Sequence, residues 1–183
     1  MILSDSYILE ELKQKRIIIE PFNKEYLNPC SVDLTLHPDF KIYQSGVLDV
    51  RQPNPVESLT IPEEGYVLEP GRVYLYAVNE RIGVGKNIRA KVEGKSSLGR
   101  LGLFVHVTAG FIDPGFEGSL VLELVATQPI RIYPNMKICQ VEFAFVQGNI
   151  IETYDQKAGS KYHNQTGVQE SLMYKNFDNE GKL

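Results

Sequence analysis

The sequence predicts an all-β protein that begins with one short helix. Its ten prolines divide much of the chain into short segments of alternating or continuous apolar residues. Short strands with regular turn signals between them are typical of a β-sandwich, jelly roll or barrel. A length of 183 residues gives room for one domain with a real core and is short for two. We therefore expect a single domain over residues 1–183, of which 147–183 form a tail.

The helix is predicted close to the N-terminus. Ser4 is a suitable N-cap, and Asp5 places a negative charge in the first turn. Ile8, Leu9 and Leu12 then form an apolar stripe. We expect the helix to end near residue 15.

Strands are predicted wherever apolar residues alternate or run together. The clearest are SVDLTL at 31–36, VYLYAV at 73–78 and VEFAF at 141–145. The stretch 45–64 contains three prolines and predicts a loop with little structure. From residue 147 onward the chain is polar and rich in glycine, which predicts a flexible tail that stays loose or orders on a partner.

Composition excludes several classes of function. A net charge of −4 argues against a nucleic-acid partner, although a small anionic ligand needs only local positive charge. No apolar run is long enough to span a membrane, and the charged N-terminal residues do not resemble a signal peptide, so we expect a cytoplasmic protein with no membrane partner. Two isolated cysteines, Cys30 and Cys139, form neither a disulfide framework nor a metal-binding motif.

One carboxylate stands out in the apolar strand SLVLELV at 119–125. A period of two places Glu123 on one face with Val121 and Val125, opposite the leucines at 120, 122 and 124. An unpaired charge away from water costs several kcal/mol or picks up a proton. Two interpretations stay open: an edge strand with one solvated face, or a functional acid.

Two polar segments could bind a nucleotide. EGKSSLGR at 93–100 supplies two hydroxyls, two cations and glycine backbone donors, which suit phosphate oxygens. It lacks the spacing of a Walker loop, and a basic turn between strands would explain it about as well. In the tail, Tyr154, Lys161, Tyr162 and Gln165 suit a lid over a nucleotide, and a frayed C-terminus is the alternative.

Zinc chemistry is not expected. The H-x-E and P-C-x-x-C motifs of zinc-dependent base deaminases are absent. His106 lies in an apolar segment and is interpreted as a hydrogen-bonded histidine of the core or of a subunit interface. A triad of Ser96, His106 and Asp113 can be drawn, but no G-x-S-x-G motif supports it.

Seven ordered motifs span nearly the whole chain. They are ILSD (2–5), SVDL (31–34), LEPG (68–71), GKSSLGR (94–100), TAGFIDPGFEG (108–118), LE (122–123) and KYxNQxG (161–167). Together they resemble the dCTP deaminase branch of the dUTPase superfamily. The resemblance implies a distorted jelly-roll or β-barrel fold and a homotrimer whose active sites lie between subunits.

The resemblance also implies roles for individual residues. Glu123 matches the base that activates water for attack on C4 of cytosine and passes a proton to N3. Ser96 and Arg100 match residues that orient the water and the carboxylate. Asp113 matches an aspartate near the deoxyribose that, in dUTPases, positions the water attacking the α-phosphate.

The nucleotide contacts implied by the resemblance lie mostly in residues 95–100, here called the phosphate turn, in the strand at 119–125 and in the tail. They are Lys95, Ser96, Ser97, Leu98, Gly99, Arg100, Asp113, Val121, Leu122, Glu123, Gln140, Tyr154, Lys161 and Gln165. Lys95 stands where many relatives have arginine, so it offers a point charge without bidentate geometry. Mg²⁺ is expected only through the triphosphate, with no protein metal site, and dTTP is a possible feedback inhibitor.

The segment TAGF at 108–111 predicts the product. Members that only deaminate typically carry T-A-H-R there, whereas T-A-G-[FW] is typical of members that convert dCTP to dUMP and release ammonia and pyrophosphate. Gly110 and Phe111 therefore indicate the bifunctional type, with the glycine leaving room for a second water. The alternatives are a deaminase that stops at dUTP and a jelly roll that binds nucleotides without turnover.

Overall fold

The structure is a computed structural model that describes residues 1–44 and 46–177. Its main sheet has ten strands, a second sheet pairs β5 with β11, and all the pairings are antiparallel. The strands are Ile17–Glu20 (β1), Leu27–Asn28 (β2), Ser31–Tyr43 (β3), Val56–Thr60 (β4), Tyr66–Leu68 (β5), Tyr74–Val84 (β6), Ile88–Gly94 (β7), Leu103–Phe104 (β8), Phe111–Ile112 (β9), Glu117–Ala126 (β10), Ile130–Ile132 (β11) and Lys137–Phe145 (β12). The all-β prediction is confirmed.

One long strand joins the two halves of the main sheet. The first half of β3 pairs with β2 and β12, and its second half pairs with β4 and β6. At the change of partner, Thr35 donates its backbone N–H and its hydroxyl to the buried carboxylate of Glu80. A buried N–H without a partner would be costly, so this carboxylate stabilises the change of register.

The core lies between the two halves of the sheet. Its largest fully buried side chains include Phe40, Tyr74, Tyr76 and Phe143. The rings of Phe40 and Tyr76 stack with their centroids 4.6 Å apart. Burial of these aromatic side chains supplies much of the favourable free energy of folding.

The helical segments are short. They are Asp5–Lys13 (α1), Ser96–Gly99 (α2) and the 3₁₀ helices Lys24–Tyr26 and Met173–Asn176. The predicted N-terminal helix is confirmed, although the Ser4 side chain contacts Ser6 rather than capping the backbone. No helix in the described part of the chain is long and apolar enough to cross a bilayer.

One strand was not predicted. Residues 56–60 form β4 and pair with residues 39–43 of β3, so the prediction of a loop with little structure over 45–64 is wrong for this part. The loop was predicted because the segment contains three prolines. All three lie outside residues 56–60, so that run is free to pair.

The tail packs back on the domain. Asn164 donates its backbone N–H to the carbonyl of Glu117, and the Ser119 N–H donates to the carbonyl of Gln165. Further along, Lys41 forms an ion pair with Glu170 at 2.7 Å. Residues 147–177 thus cross the end of β10, and the rest of the predicted tail, 178–183, lies outside the described residues.

Candidate active site

A cavity of about 480 Å³ lies between β10, β6 and the tail. Apolar side chains, including Val73, Leu75 and Phe111, form much of its wall. The polar groups that reach it come from β10, from the turn before it and from the tail. A cavity of this size with few polar groups is typical of a small-molecule site.

Glu123 enters this cavity from the middle of β10. Burial along β10 alternates as the period of two predicts, with residues 120, 122 and 124 buried and residues 121, 123 and 125 half-buried. Glu123 pairs with Leu75 of β6, which also lines the cavity. Its Oε2 atom is buried and has no hydrogen-bond partner within residues 1–44 and 46–177.

The surroundings of Glu123 favour its protonated form. Burial raises the pKa of its carboxyl above the usual range, while hydrogen bonding by the Val107 backbone and the nearby His106 act in the opposite direction. A carboxylate with a raised pKa and a free oxygen can take a proton from water and return it to a substrate.

His106 also lines the cavity, so its interpretation as a hydrogen-bonded histidine of the core is wrong, while the alternative of a subunit interface stays a prediction. Its ring is half-buried, and Nδ1 has no partner among the described residues. A Cβ atom added at Gly110 would lie 3.2 Å from this ring and 3.0 Å from the carbonyl oxygen of Val92. Gly110 therefore stands where a side chain would press on the imidazole and on the Val92 carbonyl; its role in leaving room for a second water stays a prediction.

Asp113 lies on the same cavity in the turn before β10. Its carbonyl accepts the N–H of Phe116, which closes the turn, and its side chain is exposed. Gly115 has φ +84°, and a Cβ there would lie 2.3 Å from Asp155. Only glycine fits this turn, so the backbone fixes where Asp113 stands.

The tail closes one side of the cavity. Gln165 donates from Nε2 to the carbonyl of Ser119 at 2.6 Å, and its buried Oε1 has no partner in the described part of the chain. Tyr154 packs edge-on against Phe116 and accepts the backbone N–H of Tyr162 on its hydroxyl. Two of the predicted tail contacts, Tyr154 and Gln165, thus reach the cavity.

The phosphate turn lies elsewhere on the same chain. Ser96, Ser97, Gly99 and Arg100 are exposed, and none of residues 95–100 lines the cavity. Gln140 accompanies the turn, since its Nε2 donates to the carbonyl of Gly94. Within one chain the predicted site is therefore split into two groups.

Lys161 does not line the cavity, and only part of the triad drawn from Ser96, His106 and Asp113 does. Lys161 is half-buried in the tail and does not line the cavity wall. His106 and Asp113 line the cavity, but Ser96 lies outside it, so the triad is not assembled within this chain. No group of three or more His, Cys, Asp or Glu side chains suited to a metal ion occurs among residues 1–44 and 46–177.

Comparison with known proteins assigns the chain to a family. The profile of the family described as "dCTP deaminase-like" matches residues 2–146. The "dCTP deaminase, dUMP-forming" of Clostridium botulinum (strain Alaska E43 / Type E3) is 49% identical over 178 residues, 97% of this chain and 99% of that protein. The protein of the same name from Clostridium beijerinckii is 46% identical over 178 residues, with the same coverage. The chain belongs to the dCTP deaminase-like family.

One solved structure has a similar fold. The crystal structure of 2'-deoxycytidine 5'-triphosphate deaminase from Agrobacterium tumefaciens matches with a TM-score of 0.65 at 22% identity, covering 82% of this chain and 50% of that one. This chain spans about half of that protein's length. At this identity the likeness shows the fold alone.

Several cavity residues of this dCTP deaminase-like chain were not predicted. Tyr43 and Leu48 come from the end of β3 and the loop after it, and Tyr162, predicted only as part of the tail, also reaches the wall. The sequence carries no local signal for the first two, because only the long-range pairing of β3 with β6 brings them to β10.

Proposed function

We propose that this protein deaminates dCTP without zinc and then releases pyrophosphate, so that its product is dUMP. One observation carries the proposal: two carboxylates without an ion pair in the described part of the chain reach the cavity, the half-buried Glu123 with its free Oε2 and the exposed Asp113, whereas Glu170 in the same wall is paired with Lys41. The names of the full-length relatives and the family assignment support the same reaction.

The first step uses Glu123. Its carboxylate takes a proton from water while the oxygen of that water forms a bond to C4 of cytosine, and the proton is passed to N3. The carboxylate then takes the proton of the new hydroxyl on C4 and delivers it to the amino nitrogen, the bond from C4 to that nitrogen breaks, and ammonia leaves with a carbonyl formed at C4. An apolar wall raises the proton affinity of the carboxylate and suits it to both transfers.

The second step uses Asp113. A second water attacks the α-phosphorus as the bond from this phosphorus to the bridging oxygen of the leaving group breaks, and pyrophosphate departs. Asp113 orients this water and accepts its proton. The exposure of Asp113 suits this role, since water reaches its side chain.

The phosphate turn completes the site from another copy of the chain. Most of residues 95–100 are exposed, and none of them lines the cavity of its own chain. A homotrimer in which each cavity receives the turn of a neighbouring subunit would bring Ser96 and Arg100 to Glu123. Mg²⁺ enters as part of the substrate, bound to the triphosphate. A cytoplasmic location and inhibition by dTTP stay predictions of the sequence.

The experiment is to incubate the purified protein with dCTP and Mg²⁺ and to separate the nucleotides by chromatography over time. We expect dUMP, ammonia and pyrophosphate in equal amounts, with little free dUTP. Stoichiometric dUTP would assign the protein to the deaminases that stop there. Binding of dCTP without any product would favour the non-catalytic jelly roll.

A further inference from the structure

The strand end beside the phosphate turn carries a buried carboxylate that the reaction above does not use. The side chain of Asp33 is 6% exposed and contacts two lysines. The Nζ atom of Lys95 lies 2.6 Å from Oδ1, and the Nζ atom of Lys137 lies 3.2 Å from Oδ2. Asn28 donates from Nδ2 to the same Oδ1 at 3.1 Å.

We propose that Asp33 is a positioning residue that holds Lys95 and Lys137 together as a pair of cations for the triphosphate, and that Lys137 is a further phosphate-binding residue. This inference rests on the proposed function. The sequence predicted a phosphate contact for Lys95 and a nucleotide contact for Gln140, and neither for Asp33 or Lys137.

Strand pairing brings these residues to one place. Gln140 of β12 pairs with Asp33 of β3, and Lys137 pairs with Thr35 on the same two strands. Ser31 donates its hydroxyl to Oε1 of Gln140, whose Nε2 donates to the carbonyl of Gly94. Lys95 follows Gly94 directly, so the two lysines lie on either side of one carboxylate at the base of the turn.

The charges of this cluster leave a surplus for a ligand. Two lysines on one carboxylate give a net charge of +1, and both lysine side chains remain partly exposed, at 24% for Lys95 and 40% for Lys137. Hydrogen bonds from Lys95, Lys137 and Asn28 outweigh the effect of burial and hold the pKa of Asp33 below its usual range. Asp33 is therefore ionised at neutral pH.

Lys137 is fixed by a second contact. Its Nζ atom lies 4.3 Å from the centre of the Tyr26 ring, an attractive arrangement for a cation over an aromatic face. A free lysine loses much side-chain entropy when it binds a phosphate. Lysines already held by Asp33 and Tyr26 avoid much of this loss.

The substitution Asp33→Asn separates positioning from simple charge. If only charge mattered, removing this negative charge would relieve its repulsion of an anionic ligand. Binding would then tighten by about twofold in well-screened surroundings. If Asp33 positions the two lysines, its loss would weaken anion binding by about tenfold, because the freed side chains would lose entropy when they bind. The two mechanisms thus predict opposite signs.

The probe is inorganic tripolyphosphate, titrated calorimetrically into the full chain with EDTA present. We expect Asp33→Asn to weaken binding about tenfold and Lys137→Met several-fold, while Lys137→Arg retains most of the affinity. Lys91→Met makes the same change at a lysine paired with Glu93 and should leave binding unchanged. Glu11→Gln removes another buried carboxylate, which lies on α1 and is paired with Arg16, and it controls for lost stability.

The possible outcomes separate this inference from the proposed function. Tighter or unchanged binding by Asp33→Asn, wild-type binding by Lys137→Met, or no binding by the unmodified protein would overturn it. A KM for dCTP that rises in Asp33→Asn with little change in kcat would support it, whereas an altered Mg²⁺ requirement at unchanged KM would overturn it. If dCTP is not converted but the tripolyphosphate results hold, the proposed function fails and the positioning role stands.

Discussion

The cavity around Glu123 and the phosphate turn at 95–100 differ in how they are built. In the cavity, apolar walls surround polar atoms without partners in the described chain, such as Oε2 of Glu123 and Oε1 of Gln165. At the turn, exposed hydroxyls and cations stand on a base of mutually paired charges around Asp33. The cavity is enclosed by a single chain, but no lysine or arginine among the described residues lines it. The phosphate turn supplies cations but is not enclosed. The proposed homotrimer predicts this difference, because in it a second copy would complete the site.

The largest expected effect comes from removing the base in the cavity. Glu123→Gln keeps the size of the side chain, so nucleotide binding should persist while deamination falls by about 10²–10⁴-fold, as is typical for loss of general acid or base catalysis. Ammonia release and dCTP binding are the measurements. Glu142→Gln makes the same change on β12, at a residue paired with Arg89, and should retain activity. Near wild-type ammonia release by Glu123→Gln would refute the assignment.

The second prediction tests whether the two regions meet across subunits. Arg100 is exposed and forms no ion pair within the described part of the chain, so Arg100→Ala should be inactive without misfolding. Refolding Glu123→Gln and Arg100→Ala together should restore activity, because random mixing leaves about a quarter of the sites with both intact residues. Each variant refolded alone is the control. If the mixture stays inactive, both residues act within one chain.

The residue patterns predicted both regions, and their separation within one chain was implied only by the family resemblance. The alternation that exposes Glu123 on one face of β10 is a local property with a period of two, and the structure confirms it. The turn EGKSSLGR is equally local. The cavity wall formed by Tyr43 and Leu48 depends on pairings between distant strands, and local patterns do not encode these. The position of His106 in the cavity wall was not predicted, because its apolar neighbours indicate a buried segment and not the cavity beside it.

The third prediction concerns the tail that closes the cavity. Trypsin can cut after Lys157 and Lys161, and the contacts of Gln165 with Ser119 hold this segment against β10. If the tail is a lid, a non-hydrolysable dCTP analogue at ten times its Kd should slow cleavage about tenfold, because bound nucleotide stabilises the closed form. Cleavage after Lys15, at the end of α1, serves as the internal control. Equal cleavage with and without the analogue would favour a permanently closed or a frayed tail.

The fourth prediction addresses the balance between the two chemical steps. A methyl group in Gly110→Ala would meet the carbonyl of Val92 at 3.0 Å and the His106 ring at 3.2 Å, so the ring must shift. We expect pyrophosphate release to fall several-fold more than deamination, which raises the share of dUTP among the products. Gly159→Ala is the control, since a Cβ there has no neighbour within 4 Å. An unchanged product ratio would show that Gly110 does not select the second step.

The smallest effect is on stability, and it concerns the cost of keeping Glu123 in the cavity. Burial raises the pKa of Glu123, so the folded state binds this proton more tightly than the unfolded state does. The favourable contribution is fully present below the unfolded pKa and is lost as pH rises through the folded pKa. At neutral pH the charged carboxylate therefore destabilises the fold, and Glu123→Gln should be the more stable protein.

The gain should be under about 1 kcal/mol, because Glu123 is only partly buried and water screens its charge. Chemical denaturation at pH 8 and again near pH 4 measures it, and the difference from the wild type should shrink on acidification as the wild-type carboxyl becomes protonated. Glu142→Gln loses a partly exposed ion pair and should show no gain at either pH. A Glu123→Gln variant that is less stable than the wild type at pH 8 would mean that the carboxylate has a stabilising partner. In that case the cavity would hold a structural ion pair, and its contrast with the paired charges around Asp33 would disappear.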